Sequence, residues 1–488
     1  MNLVHRLAEQ ASRHPKRAAI IDANRSISYE QLWRRVEGGA DFLHQVGLKE
    51  SDFVLVLHPI TIELYELLLS CFHAGVTVVL IDPAKGVSFL NDCLGKCPLA
   101  AFLASPKAHL LRLKSSELRK VPLKIHTGRI LPFTKSWKPS SEARAITEVA
   151  PDTPALITFT SGSTGQPKGV ARSHQFLLAQ DTILSTSLNL LGGQVDLVTL
   201  PVFLLSNLSH GLTSVIANTD LTNPGSPNVA KISVQSRNHN ITRCTASPAF
   251  FEAMPKDLFE EVYTGGAPVF PDLLSQLPKN SHLIYGSSEA EPISHFPATN
   301  LTPGIIETIK SGGGLPAGRP VEEIDLAIIE DQHGTPISSM TDQEFNQLRK
   351  NRGEIVVSGD HVLTGYLGGH GDSENKFSVD GKIWHRTGDA GRLDNKGNLW
   401  LLGRCHAKWK EHYPLQIEAA VRTILPGKKC ALWRGLLVLE SSLPQLESQL
   451  EQFDLNGVIV VEKIPMDSRH NAKIDYQSLE KILQQKNS

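Results

Sequence analysis

Residues 158–169 read Thr-Phe-Thr-Ser-Gly-Ser-Thr-Gly-Gln-Pro-Lys-Gly, with three glycines, five hydroxyl side chains and one lysine in a single short run. Glycine lets the backbone turn sharply and bring N–H groups close to an anionic ligand. Hydroxyls add donors, and Lys168 adds a compact positive charge suited to phosphate. Thr160, Ser161, Gly162, Ser163, Thr164, Gly165 and Lys168 are therefore candidate phosphate ligands. Pro167 stands where the P-loop of NTPases requires glycine before lysine, so this is a different loop. Composition alone leaves a plain Gly/Ser surface turn open.

The elements that must position such a loop are readable from apolar spacing. Leu32, Val36, Ala40, Leu43 and Val46 recur at helical intervals over 30–46, and Gly47 is a plausible stop. Residues 53–57 read as a buried strand, 63–72 as a helix and 76–81 as another strand, a pitch that argues for parallel α/β layers. Strand patterns resume at 155–159, 196–200, 261–263 and 282–285. After about residue 310 short strands at 326–329, 354–357 and 399–402, separated by turn residues, predict a mainly antiparallel part. Beyond Arg404 a segment with its own strands at 436–439 and 457–461 is long enough for a small lid. The expected architecture is α/β: a large N-terminal domain, 1–404, of layered α/β sheets with a distorted antiparallel β subdomain from about 310. A small mobile α+β domain, 405–488, follows.

Composition narrows the function. The chain has 488 residues, 41% of them hydrophobic and 20% charged, as an ordinary globular protein does. Its 49 Lys and Arg nearly cancel its 50 Asp and Glu. No global field recruits nucleic acid, so no nucleic-acid partner is expected, and any phosphate binding must be local. The start lacks a secretory pattern, and no apolar run is long enough to form a transmembrane segment, which predicts a cytoplasmic enzyme. Six scattered cysteines suit free buried thiols rather than a disulfide framework or a zinc site.

The loop closely resembles the signature of the adenylate-forming superfamily: acyl-CoA synthetases, adenylation domains of peptide synthetases, and luciferases. The other motifs of that family follow in order. The resemblance implies that the loop holds the β- and γ-phosphates of ATP. Tyr263-Thr264-Gly265-Gly266-Ala267-Pro268 is similar to the segment lining the adenine and acyl pockets. Tyr285-Gly286-Ser287-Ser288-Glu289 resembles Tyr-Gly-x-Thr-Glu, which implies that Tyr285 stacks on adenine, Ser288 contacts the α-phosphate and Glu289 helps hold Mg²⁺. A hard carboxylate beside phosphates suits a divalent cation. Trp384 to Asp389 resembles the segment whose aspartate takes both ribose hydroxyls, and an acceptor-only carboxylate can receive such a diol. Arg404 would reach ribose or phosphate. Arg469-His470-Asn471-Ala472-Lys473-Ile474 stands at the place of the catalytic-lysine segment. Lys473 would stabilise charge as pyrophosphate leaves. Standing alone, Asp389 would read as a turn cap and Lys473 as a solvated lysine.

Within the superfamily the chain resembles the β-lactone synthetases of bacterial olefin biosynthesis. The Arg-His-Asn-Ala-Lys-Ile string, Leu200-Pro201-Val202-Phe203 with Gly211-Leu212, and Thr245 to Ala249 carry that likeness. It implies adenylation of a β-hydroxy fatty acid followed by ring closure. Residues 405–412 are shorter than the matching loop of ordinary CoA ligases and lack a Gly-Gly pair, and His406 replaces the usual hinge Asp or Lys. Glu291 adds a carboxylate near Glu289. Phe203 is expected near an acyl pocket, and Leu204 to Leu208 offer no cation for a charged tail, so an aliphatic acid is expected. Transfer to a thiol, on coenzyme A or an acyl-carrier protein, stays open as the second step. So does a catalytically silent nucleotide-binding scaffold, against which the intact Glu289, Asp389 and Lys473 stand.

Overall fold

In the computed structural model, residues 1–161, 166–441, 450–466 and 473–486 are described, without the side chains of Ser161 and Lys486. They form two compact units: Met1–Ile216 with Asp360–Ser373, and Ala217–Gly359 with Glu374–Ser488.

The first unit contains β1 (Ala18–Ile21), β2 (Ser26–Ser28), β3 (Phe53–Leu57), β4 (Thr77–Leu80), β5 (Leu99–Ala104), β6 (Leu123–His126), β7 (Lys135–Ser136), β8 (Pro154–Ser161), β9 (Pro167–Ser173), β10 (Val195–Val198) and β11 (Thr213–Ile216). Seven of them make one sheet in the order β7-β6-β5-β3-β4-β8-β9. All its pairings are parallel except β8–β9. β10, β11 and β1 pair in parallel, and β2 closes antiparallel on β1.

Sequence logic explains these elements. Ser28 caps the helix Tyr29–Gln45 by accepting from Gln31 N at 3.2 Å, while the Gln31 side chain accepts from Ser28 N at 3.0 Å. Leu32, Val36, Ala40 and Leu43 are all fully buried, and the helix stops just before Gly47, whose φ is +96°. The Phe53–Leu57 strand is nearly all buried, as a central parallel strand requires. Residues 360–373 return to this unit after the excursion through 217–359, and Leu363 and Tyr366 join Val170 and Phe176 in one apolar cluster.

The second unit contains β12 (Arg243–Ala246), β13 (Glu261–Gly265), β14 (Asn280–Ser287), β15 (Ala290–Pro297), β16 (Leu315–Pro320), β17 (Asp325–Ile329), β18 (Arg352–Ser358), β19 (Lys376–Val379), β20 (Lys382–Leu393), β21 (Leu399–Arg404), β22 (Cys430–Trp433), β23 (Leu436–Leu439) and β24 (Gly457–Val460). β12, β13 and β14 are parallel. From β15 onward the sheet runs antiparallel through β16, β21, β20, β18 and β17, with β19 beside β20. The change from parallel to antiparallel pairing falls at the turn after β14.

β22–β24 form a separate three-stranded sheet. The helix Pro414–Ile424 packs Ile417, Ala420 and Val421 against it, and Ala419 against Ile309, Leu315 and Trp400. The mixed α/β architecture is as expected. All six cysteines are buried and none forms a disulfide. Among the described residues no helix is long and apolar enough to cross a membrane.

Candidate functional site

The site in the second unit is built at strand ends. β13 runs out at Gly265, which lies opposite Ile284 of β14. A Cβ on Gly265 would lie 2.4 Å from the Ile284 carbonyl oxygen, so only glycine allows this backbone approach. Gly266 follows at φ +79° and leads into Ala267 and Pro268. β14 ends in Tyr285, Gly286 and Ser287, and Ser288-Glu289 form the turn into β15, with Ser287 opposite Ala290. A Cβ on Gly286 would press within 2.9 Å of the Ala290 carbonyl.

Asp389 on β20 lies directly opposite Arg404 on β21. Arg404 Nε is 3.1 Å from Asp389 Oδ1, and the Tyr285 hydroxyl donates to Asp389 Oδ2 at 2.9 Å. The Asp389 backbone N donates to Thr387 Oγ1 at 3.1 Å, and Thr387 Oγ1 donates to the Ile355 carbonyl at 2.9 Å. Burial and the neighbouring carboxylate push the Tyr285 phenol well above its ordinary range, so it stays a donor. The Asp389 carboxylate reinforces the charge on Arg404.

A cavity of about 370 Å³ opens here, lined by Gly266, Ala267, Pro268, Tyr285, Gly286, Asp389 and Arg404. Lys473 lines the same cavity. Next to it, Ile474 bridges to Met466, and Asp475 N donates to the Pro465 carbonyl at 2.9 Å. Gly265, Ser288 and Glu289 adjoin this wall in sequence without lining it. The rest of the catalytic-lysine segment, Arg469 to Ala472, lies outside the described residues.

A family model described as AMP-binding enzyme matches residues 7–367, well over half of the chain. This chain belongs to the AMP-binding enzyme family. It is an adenylate-forming acid ligase. The olefin beta-lactone synthetase of Stenotrophomonas maltophilia is 28% identical to it, over 98% of this chain and 97% of that one. The amide bond synthetase McbA from Marinactinospora thermotolerans shares the fold with a TM-score of 0.78 at 18% identity, over 98% of this chain and 99% of that one. ATP-bound MatB from Rhodopseudomonas palustris gives 0.77 at 19% identity, over 99% of each chain.

The AMP-binding enzyme's cavity fits a nucleoside. Its volume of about 370 Å³ falls within the range of small-molecule sites, roughly 300–1,000 Å³. A carboxylate has about four lone-pair sites. Tyr285 and Arg404 engage one on each Asp389 oxygen, which leaves acceptors for a diol. For magnesium the donor set is lean: among the described residues no three His, Cys, Asp or Glu converge. One carboxylate completed by phosphate oxygens and water is how Mg²⁺ is commonly held, and a single residue such as Glu289 would meet that requirement.

The phosphate-loop candidates belong to the first unit. Thr160 and Lys168 face each other across the β8–β9 pair. Lys168 is buried, its Nζ 5.5 Å from the Tyr366 ring centroid. The Ser161 side chain and Gly162, Ser163, Thr164 and Gly165 lie outside the described residues. Phe203, on the helix Pro201–Ser209, is also in the first unit and is 7% exposed. It is absent from the lining of the second-unit cavity.

Sequence reading missed further cavity groups. Glu418, 4% exposed, accepts from Leu432 N at 2.9 Å and from the Tyr476 hydroxyl at 2.8 Å. Burial pushes its carboxyl up to about 7. Arg422 stacks 4.1 Å from the Phe270 ring centroid and pairs with Asp272 at 2.9 Å and Glu252 at 3.2 Å. Their partners lie 14 to 170 residues away in sequence, so no local pattern signals them.

Proposed function

We propose that this AMP-binding enzyme activates a fatty or β-hydroxy fatty acid with ATP, and that a β-hydroxy substrate then closes on itself as a β-lactone. The observation that carries the adenylation step is the Tyr285–Asp389–Arg404 assembly on the wall of a cavity that Lys473 also lines. In this reading Asp389 takes the ribose hydroxyls, Tyr285 flanks adenine, and Gly265 to Pro268 border adenine and acyl group. Ser288 meets the α-phosphate. Thr160 to Gly165 and Lys168 hold the outer phosphates. Domain alternation about a boundary at 404/405, with 405–488 as the lid, is part of the same proposal.

The substrate carboxylate attacks the α-phosphorus, a P–O bond forms, and the bond to the pyrophosphate oxygen breaks. Lys473, with three donors on a compact cationic head, offsets the negative charge that gathers between carboxylate and phosphate. Mg²⁺ bound at Glu289 would neutralise phosphate charge and favour pyrophosphate as a leaving group. The β-hydroxyl then attacks the activated carbonyl, the ring C–O bond forms, AMP departs, and the hydroxyl proton passes to solvent.

Two observations support lactone closure over thioester formation. The relative from Stenotrophomonas maltophilia is matched along nearly its whole length, and residues 405–412 lack the glycine pair and length of a CoA-ligase loop. The deciding experiment incubates enzyme, ATP and Mg²⁺ with a β-hydroxy fatty acid and no coenzyme A. AMP and β-lactone should appear together. AMP release strictly dependent on coenzyme A or an acyl-carrier protein would assign the chain to ordinary acyl ligases.

A further inference from the structure

Residues 107–138 carry nine Lys or Arg against one acid, Glu117. The chain as a whole holds 49 against 50, so a positive excess of eight is concentrated in one short stretch and the remainder is acidic. Most of these cations, among them Lys107, Lys114, Arg119, Arg129 and Lys135, are exposed.

The same stretch holds the four most exposed large hydrophobic side chains among the described residues: Phe133 at 95%, Ile130 at 88%, Leu113 at 78% and Leu110 at 60%. Single exposed apolar residues are ordinary on a protein surface. Four at this exposure, crowded into the one basic stretch, are not.

The segments bearing Leu110 and Phe133 both leave the same end of the seven-stranded sheet. β5 and β6 are adjacent and parallel, with Ala104 opposite His126 at their C-terminal ends. Leu110 and Leu113 follow β5, and the 127–134 loop follows β6, with Thr127 N donating to the Ala104 carbonyl at 3.2 Å. Both segments are tied down. His109 Nε2 is 2.9 Å from the Ile125 carbonyl, and Thr134 Oγ1 donates to the Leu131 carbonyl at 2.7 Å. Phe133 is held at φ +58°, a conformation costly for an aromatic residue that makes no core contact in return.

From this juxtaposition we infer that the 107–138 surface docks the enzyme on an anionic lipid bilayer. The aliphatic and aromatic tips enter the boundary between headgroups and acyl chains, and the surrounding cations face lipid phosphates. Nucleic acid would use the cations and leave Leu110, Leu113 and Ile130 in water. No acidic partner protein is needed to explain the aliphatic tips at a loop end. The inference rests on the first unit's surface alone, independent of which acid the enzyme activates.

Sedimentation with lipid vesicles tests it, using the full-length protein. Vesicles of phosphatidylcholine with phosphatidylglycerol should carry the enzyme down, and pure phosphatidylcholine should do so far less. Added salt should release it, because screening shortens the reach of the cations. Arg129→Glu with Lys135→Glu should weaken anionic-vesicle binding by more than roughly tenfold. Ile130→Ser with Phe133→Ser should weaken it comparably, with thermal unfolding and pyrophosphate exchange unchanged in both variants. Failure of the parent enzyme to bind anionic vesicles at low salt overturns the inference. So does vesicle binding that survives the Ile130/Phe133 change.

Discussion

The hydroxyl of Tyr285 donates to Asp389 Oδ2 at 2.9 Å, joining two motifs 104 residues apart in sequence. Arg404 holds the other carboxylate oxygen. Each group is thereby held in place, and Asp389 lines the cavity. Asp389→Asn preserves size but turns one acceptor oxygen into a donor. ATP affinity should drop about 10- to 100-fold, the worth of a hydrogen bond to a charged group. Tyr285→Phe should cost less. Titration of nucleotide binding by calorimetry checks both, and wild-type affinity in Asp389→Asn would remove this residue from the nucleotide site.

Lys473→Ala should leave ATP affinity nearly intact and slow acid-dependent pyrophosphate exchange by about 10²–10³-fold. An unchanged exchange rate would place the catalytic cation elsewhere. A parallel loss of nucleotide affinity would give Lys473 a binding role instead.

Glu418 is buried with its carboxyl pushed from 4.5 up to about 7. The folded state therefore binds its proton more tightly than the unfolded state does, and stability falls as pH rises between those two values. The shift corresponds to about 3 kcal/mol. Glu418→Gln keeps an acceptor for Leu432 N and Tyr476 and removes the titration. Denaturant unfolding at pH 4.5 and pH 8 should show the parent losing about 3 kcal/mol more than the variant over that interval. Parallel losses would mean that Glu418 is already ionised in the folded protein at low pH.

Arg386 is 2% exposed and gives Nε and Nη2 to Glu354 Oε2 at 2.9 and 2.6 Å. It also donates to the carbonyls of Thr335 and Gln332. Glu354→Gln keeps an acceptor but removes the negative charge opposite that buried guanidinium, and should destabilise the protein by about 3–5 kcal/mol. Thermal unfolding reads this directly. A variant as stable as the parent would show that water reaches the pair.

Much of this was legible in the residues themselves, for local reasons. The Leu32 to Leu43 spacing and the Phe53–Leu57 run carry helix and strand in their own periodicity, and the glycine-hydroxyl string points to the family by resemblance, since its composition alone leaves a surface turn open. Asp389 and Arg404 fall in short motifs near each other in the chain. What stayed hidden depends on distant partners. Glu418 looks like any helical glutamate until Tyr476 and Leu432 close over it. The need for glycine at 265 arises from the carbonyl of Ile284 on a neighbouring strand. Arg386 reads as part of a nucleotide motif, yet its side chain is spent on Glu354 and two backbone carbonyls. Nothing in the sequence marks Phe133 and Ile130 as exposed, because exposure is set by packing.

The return of residues 360–373 to the first unit has a consequence for synthesis. Val170 and Phe176 leave the ribosome long before Leu363 and Tyr366, which complete their apolar cluster. A nascent chain paused anywhere in 217–359 therefore carries an open seam beside β9, and the N-terminal half cannot finish folding while the rest is being translated. Fragments ending near residue 216 should for the same reason behave as clients of chaperones rather than as independent modules.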